Sequence, residues 1–221
     1  MAVPAHVEPG GELDPAQAAE SLGDLRFRKL LGGQAWAALD PAIQRRFSRR
    51  LANGGKAVYA GEVAEVQTRL AGRMLARLAT VIGGPLPLVW RAPAPSVVTV
   101  TESDDGGQVW TRLYARRSGF PQIVHSKKRF AGATGLEEYL GHGVGMALTA
   151  TVEDAALVFR SAFYFLAWRE RRLRLPRFVS PGELTVIHRE LGGGHFAFTL
   201  ELRHPLLGLL LRQHAVFKED Y

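Results

Sequence analysis

Residues 158–178 read VFRSAFYFLAWRERRLRLPRF. The stretch begins apolar and aromatic and ends in arginines, so it reads as a membrane anchor, an anion patch or a strand with a wet end. Length argues against the anchor. The apolar window Ala155–Trp168 spans 14 residues with Arg160 inside, and a membrane-crossing helix needs about 20. As a strand of period two, it places Phe159, Phe163 and Phe165 on one face and Arg160, Tyr164 and Trp168 on the other. The phenylalanine trio is expected in the core. Arg169, Arg171, Arg172 and Arg174 then form a solvated strand end and a candidate anion patch, ahead of Pro176 and Pro181.

Strand patterns continue on both sides. Upstream lie Ala57–Val66, Ser96–Glu102, Gln108–Arg116, Gln122–Lys127 and Gly143–Thr151. Downstream lie Leu184–Leu191, His195–Leu202 and a last strand within HPLLGLLLRQHAVF. Turn signals separate them, including SDDGG at 103–107 and Gly192–Gly194. Many short strands joined by short turns favour an antiparallel meander, a curved sheet or a barrel.

Helical spacing is confined to the first 82 residues. Leu39, Ile43 and Phe47 recur at intervals of four, with Arg45, Arg46, Arg49 and Arg50 between them. Asp40–Pro41 supplies a helix start, since Asp caps and Pro suits the first turn. Leu70, Met74, Leu78 and Val81 define a second amphipathic helix with Arg69, Arg73 and Arg77 on its other side. By the usual logic both apolar stripes face the core. Gly32–Gly33 marks off an earlier short helix, and Gly83–Gly84–Pro85 closes the second one.

The chain has 221 residues, enough for a full hydrophobic core in one domain. Residues 1–23 are rich in Pro, Gly, Ala and Glu and read as a disordered tail; 24–221 read as one α+β domain. No basic–apolar secretory signal opens the chain. Cysteine is absent, which rules out disulfides and thiolate metal sites. These features lead to an expectation of a cytoplasmic protein. Net charge is +7, and residues 26–77 hold 11 basic and 3 acidic side chains. Such a surface attracts phosphate, although a solubilising surface in an arginine-favouring proteome is the favoured account.

The chain lacks a nucleophile elbow, a phosphate loop, a dinucleotide fingerprint and a zinc-protease motif. GHGVG at 141–145 precedes a strand, not a helix, and reads as a turn. The histidines show no metal-ligand spacing, so no metal or cofactor is expected; His188 and His195 flank the Gly192–Gly194 turn, where a hairpin can set them opposite each other, and read as a surface pair rather than a site. The alternation in QVWTRLYAR at 108–116 is more informative. Val109, Thr111, Leu113 and Ala115 form one face, expected to be the core face. Trp110, Arg112, Tyr114 and Arg116 form the other, which suits an outer ladder, a polar-mouthed cavity or base stacking. Glu137 and Glu138, adjacent on an extended segment, point to opposite faces and do not make a carboxylate dyad.

The segments FRKLLGGQAWAALDPAI, YAGEVAEV, LARLATVIGGPLP, WTRLYA, GLEEYLG, LRLPRFVSP and HPLLGLLLR occur in an order that resembles the bacterial domain-of-unknown-function family 4166 from about Phe27 to Phe217. Ala155 stands where the family is expected to have a turn glycine, and His214 lies near where an aromatic residue and a glycine are expected. The resemblance implies a domain found alone or fused to dehydrogenase-like domains, with no assigned activity.

The fold expected is α+β, with N-terminal helices packed on a large curved antiparallel sheet that either stays open or closes partly as a barrel. The leading functional expectation is a non-catalytic binding domain for an apolar or amphipathic small molecule, accessory to a dehydrogenase-like partner. Its candidate residues are Trp110, Arg112, Tyr114, Glu138, Arg160, Tyr164 and Trp168. Arg112 and Arg160 are expected on the same side of one sheet. A hydrolase- or isomerase-like enzyme using Arg112, Glu138 and His125 or His204 is the alternative. A basic module for anionic membrane is a third reading, with nucleic acid the less favoured target.

Overall fold

A computed structural model describes residues 24–116, 118–169 and 171–219. The expected disordered tail at 1–23 lies outside the described residues. Three short helices open the fold: α1 (Arg26–Leu31), α2 (Gly33–Ala37) and α3 (Pro41–Ser48). Then come β1 (Lys56–Thr68), α4 (Leu70–Leu78), β2 (Ala94–Glu102), β3 (Gln108–Tyr114), β4 (Gln122–Arg129), β5 (Glu137–Gly141) and β6 (Val144–Glu153). The remaining strands are β7 (Ala156–Trp168), β8 (Arg171–Arg174), β9 (Glu183–Gly192), β10 (His195–His204) and β11 (Gly208–Glu219). The expected strands are all present, and β5 and β8 are additional.

The sheet closes on itself, and the 158–178 stretch makes the closure. Strand order runs β6-β5-β4-β3-β2-β1-β11-β10-β9-β7-β8, and β6 also pairs with β7. The lower part of β7 bridges both neighbours: Val158 pairs with Thr151 of β6 and with Ile187 of β9. Further along, β9 departs and β8 takes its place, with Phe165 opposite Arg174. The result is a closed ten-stranded antiparallel barrel with few helices. This sharpens the α+β expectation to a mostly-β fold. Closure removes the exposed sheet edge that an open meander would present.

A bulge corrects the expected facing of β7. Ala147 pairs with Phe163 but Leu148 pairs with Ser161, so Ala162 is the extra residue. One inserted residue reverses the inside–outside parity beyond it. Phe159 and Tyr164 therefore both face inward, whereas Phe163 and Phe165 face outward. Phe165 is nonetheless fully buried, against Tyr139 and Gly145 on the outer surface. Arg160 stays outside in an ion pair with Glu153.

The two helical regions are seated differently. Asp40 accepts a hydrogen bond from the Ala42 amide at 2.8 Å, capping α3 as its sequence suggests. Ile43 and Phe47 are buried, and Phe27 of α1 meets Phe47, Phe130 and Phe159 edge-on. These rings plug one end of the barrel. Arg46, also on α3, is held by Glu190 and Glu219 and lies over the Phe196 ring.

Helix α4 overturns its expected orientation. Its buried residues are Gly72 and Ala76, while Leu70, Met74, Leu78 and Val81 beyond it are 78%, 62%, 69% and 78% exposed. A Cβ on Gly72 would stand 2.1 Å from the Leu210 carbonyl oxygen of β11. The small face therefore lies on the barrel, and the large apolar stripe is left outside.

Candidate ligand-binding cavity

The barrel's second end is open. Inside it lies a cavity of about 540 Å³, well within the range that accommodates a small molecule. Leu75 and Ile82 from the α4 region, Leu140 and Met146 from β5–β6, and Leu202 and Leu210 from β10–β11 make apolar walls. The floor is polar: Arg112, Tyr114, Ser126, Glu138 and Tyr164 reach it from β3, β4, β5 and β7. A smaller void of about 60 Å³ lies beneath, among Trp110, Lys128, Phe159 and Gln213, with Arg112 and Tyr114 lining both spaces.

Strand alternation brings these side chains together. Arg112 pairs laterally with Val98 and Val124, both buried, so Trp110, Arg112 and Tyr114 point inward. The face expected to form the core, Val109, Thr111 and Leu113, is the outer one. On β4 the inward set is Val124, Ser126 and Lys128, and on β5 it is Glu138 and Leu140.

Glu138 joins the polar groups. Its carboxylate lies 3.1 Å from Lys128 Nζ and 3.8 Å from Arg112 Nη2. Burial raises the Glu138 pKa, but Lys128, Arg112 and the Ser126 hydroxyl outweigh it and leave the carboxyl below its ordinary range. Burial lowers Lys128 despite Glu138, and Arg112 adds to the lowering. Lys128 and Glu138 are each about 5% exposed and act as a pair. Arg112 is more open, with 23% of its side chain exposed. Its single hydrogen bond among the described residues runs from Nη1 to Ser126 Oγ, 3.1 Å. Two cations thus share one carboxylate, and the uncompensated charge is on the residue that faces the cavity. Burial keeps the flanking phenols protonated, raising Tyr114 and pushing Tyr164 up to about 12. Both hydroxyls can donate. Trp110 Nε1 and Gln213 Oε1 below them are buried without a partner.

Residues 39–217 match the family model of a domain of unknown function, DUF4166. The chain belongs to that family. Comparison with curated proteins finds no match.

In this DUF4166 domain the sequence candidates divide. Arg112, Tyr114, Glu138 and Tyr164 converge on the cavity, and Trp110 sits in the void below it. Arg160 and Trp168 do not join them. Arg160 follows inward Phe159 and so faces outward with Glu153, the bulge turning Tyr164 inward, and Trp168 is 65% exposed at the strand's end. The expectation that Arg112 and Arg160 share one side is therefore wrong. The anion-patch candidates also divide. Arg172 bonds Glu137 on the outer surface at 2.8 Å and Arg174 covers the Phe163 ring, while Arg169 and Arg171 are exposed.

The histidines follow no common pattern. His188 is buried at the plugged end, 3.0 Å from Arg46 Nη1, whereas His195 is exposed, so they do not face each other. His125 lies outside beside Thr111. His204 lines the cavity rim and accepts from the Leu206 amide. Among the described residues no histidine bonds Arg112 or Glu138, and no His, Asp and Glu cluster could hold a metal. The enzyme alternative has Arg112, Glu138 and His204 lining one cavity, but no described hydrogen bond joins the histidine to either of the other two.

Ser126, Lys128 and Gln213 were not singled out in the sequence. The alternation Val124–Ser126–Lys128, polar residues on an apolar-spaced face, was the available signal.

Proposed function

We propose that the domain is a non-catalytic carrier for one amphipathic small molecule bearing a single negative charge. The molecule's apolar part lies along the leucine and methionine walls. Its acidic group meets Arg112, with the Tyr114 and Tyr164 hydroxyls as further donors. The observation that carries this reading is the charge count at the cavity floor: Arg112 and Lys128 against Glu138 alone. A half-buried cation without a full partner is costly, and an anionic head group would supply one. A carrier of this kind suits an accessory role beside a dehydrogenase-like partner.

The test uses hexadecanoate and hexadecanol as probes, each displacing an environment-sensitive fluorophore from the purified full chain. Both should compete, the carboxylate more tightly. Arg112→Met should weaken hexadecanoate about tenfold or more and leave hexadecanol nearly unchanged, since a charge-assisted hydrogen bond contributes about 1.5–3 kcal/mol. Equal loss for both probes would contradict a head-group role for Arg112.

A further inference from the structure

We infer that the open end of the barrel is a docking surface for an anionic lipid bilayer. Three segments ring the mouth and line the cavity beneath it: α4 with its following turn, residues 177–181, and the β10–β11 turn. Each presents large apolar side chains outward. Leu70, Met74 and Leu78 form a line along α4 at helical spacing, and Val81 continues it in the following turn. Phe178 is 85% exposed in the second segment, and Leu206 is 89% exposed in the third.

Scattered exposed leucines are ordinary, but a contiguous apolar rim is not. Water disfavours it, and packing does not require it, because α4 is already held by Gly72 and Ala76 against β11. The rim is also tied together: Arg69 Nη1 donates to the Leu207 carbonyl at 3.2 Å.

Charge selects the occupant. The rim segments 69–82, 177–181 and 204–208 contain no Asp or Glu, while Arg69, Arg73, Arg77 and Arg177 stand among the apolar groups. Arg69, Arg77 and Arg177 are exposed. An apolar stripe flanked by arginines is the pattern of a helix lying at a bilayer interface, its apolar side chains in the acyl boundary and its cations among the phosphates. No described helix is long and apolar enough to cross a membrane, so the contact proposed is peripheral. The mouth would then open onto the lipid phase, the source of an amphipathic ligand. The docking surface itself does not depend on the carrier reading, since the rim is exposed whether or not the cavity is filled.

The experiment is co-sedimentation of the full chain with phosphatidylcholine vesicles, with and without phosphatidylglycerol. The wild type should pellet with the anionic vesicles, weakly with the neutral ones, and less as salt rises. The combined substitutions Leu70→Ser, Met74→Ser, Phe178→Ser and Leu206→Ser should reduce partitioning at least about tenfold. Arg69→Gln, Arg77→Gln and Arg177→Gln together should reduce it up to about a hundredfold, at about 1 kcal/mol per arginine near an anionic surface. Both sets lie on the surface, and unchanged thermal melts would show intact folds. Failure of the wild type to bind anionic vesicles overturns the inference. So does undiminished binding by the serine variant. A wild-type dimer that the serine substitutions dissociate would also overturn it, by assigning the rim to a second copy. The salt series on the wild type needs no variant and tests the charge component by itself.

Discussion

Helices α3 and α4 carry nearly the same pattern, apolar residues four apart with arginines between, yet they do opposite things. At the plugged end α3 turns Ile43 and Phe47 inward, and its Arg46 is taken into a part-buried network with Glu190 and Glu219. At the open end α4 turns Leu70 and Met74 to the outside and rests on Gly72 and Ala76. Periodicity identifies an apolar face but not the direction it faces. That direction follows from which face fits more closely, and a Gly–x–x–x–Ala surface approaches a strand more closely than a leucine stripe does. One end of the barrel is built for stability and the other for access.

The sharpest way to break this comparison is to truncate at both ends. Phe47→Ala should cost about 3–5 kcal/mol by urea unfolding, the ordinary price of an aromatic cavity. Arg46→Ala should cost less, about 1.5–3 kcal/mol, since it removes charge-assisted hydrogen bonds from Glu190 and Glu219, both partly exposed. Leu70→Ala and Phe178→Ala should each stay within about 0.5 kcal/mol of the parent. A large loss at Leu70 would mean that its stripe is packed after all.

The plugged end also predicts a pH dependence. Burial, and then Arg46, hold the His188 pKa well below its ordinary 6.5. The unfolded chain therefore binds a proton near pH 6.5 while the folded chain does not. Stability is present above that pH and is lost as pH falls below it, by up to about 1.4 kcal/mol per pH unit. His188→Gln should flatten this slope between pH 6.5 and 5. An unchanged slope would place the titrating group elsewhere.

The smallest effect is at the β6–β7 turn. Asp154 and Ala155 both have positive φ, +48° and +60°, a conformation that glycine adopts without the Cβ penalty. Ala155→Gly, the residue the family resemblance leads one to expect there, should raise stability by about 0.5 kcal/mol, readable as a small rise in melting temperature.

Much of the barrel was legible. The strands around SDDGG, the hairpin at Gly192–Gly194 and the Asp40 cap follow from local chemistry. Strand β5, with Glu137 and Glu138 in it, was not, because two adjacent carboxylates do not read as strand. Their burial depends on partners distant in sequence, Arg172 outside and Lys128 inside. Closure was not legible either, since the β6–β7–β9 seam is a property of pairing rather than of any one segment. The candidate cavity was half legible. Alternation on β3 grouped Trp110, Arg112 and Tyr114 correctly but gave the core to the opposite, more apolar face, which is the outer one. On β7 a single bulge at Ala162, without glycine or proline to announce it, exchanged the faces of Phe163 and Tyr164.

The central claim is that the open end leads to a chamber that holds one amphiphile. Native mass spectrometry of the purified full chain, before and after delipidation and then with hexadecanoate added back, tests it most directly. The account predicts a single bound molecule at one-to-one stoichiometry, lost on delipidation, restored by hexadecanoate and weakened by Arg112→Met. A folded chain that retains no hexadecanoate, or takes up several molecules without saturating, would contradict it.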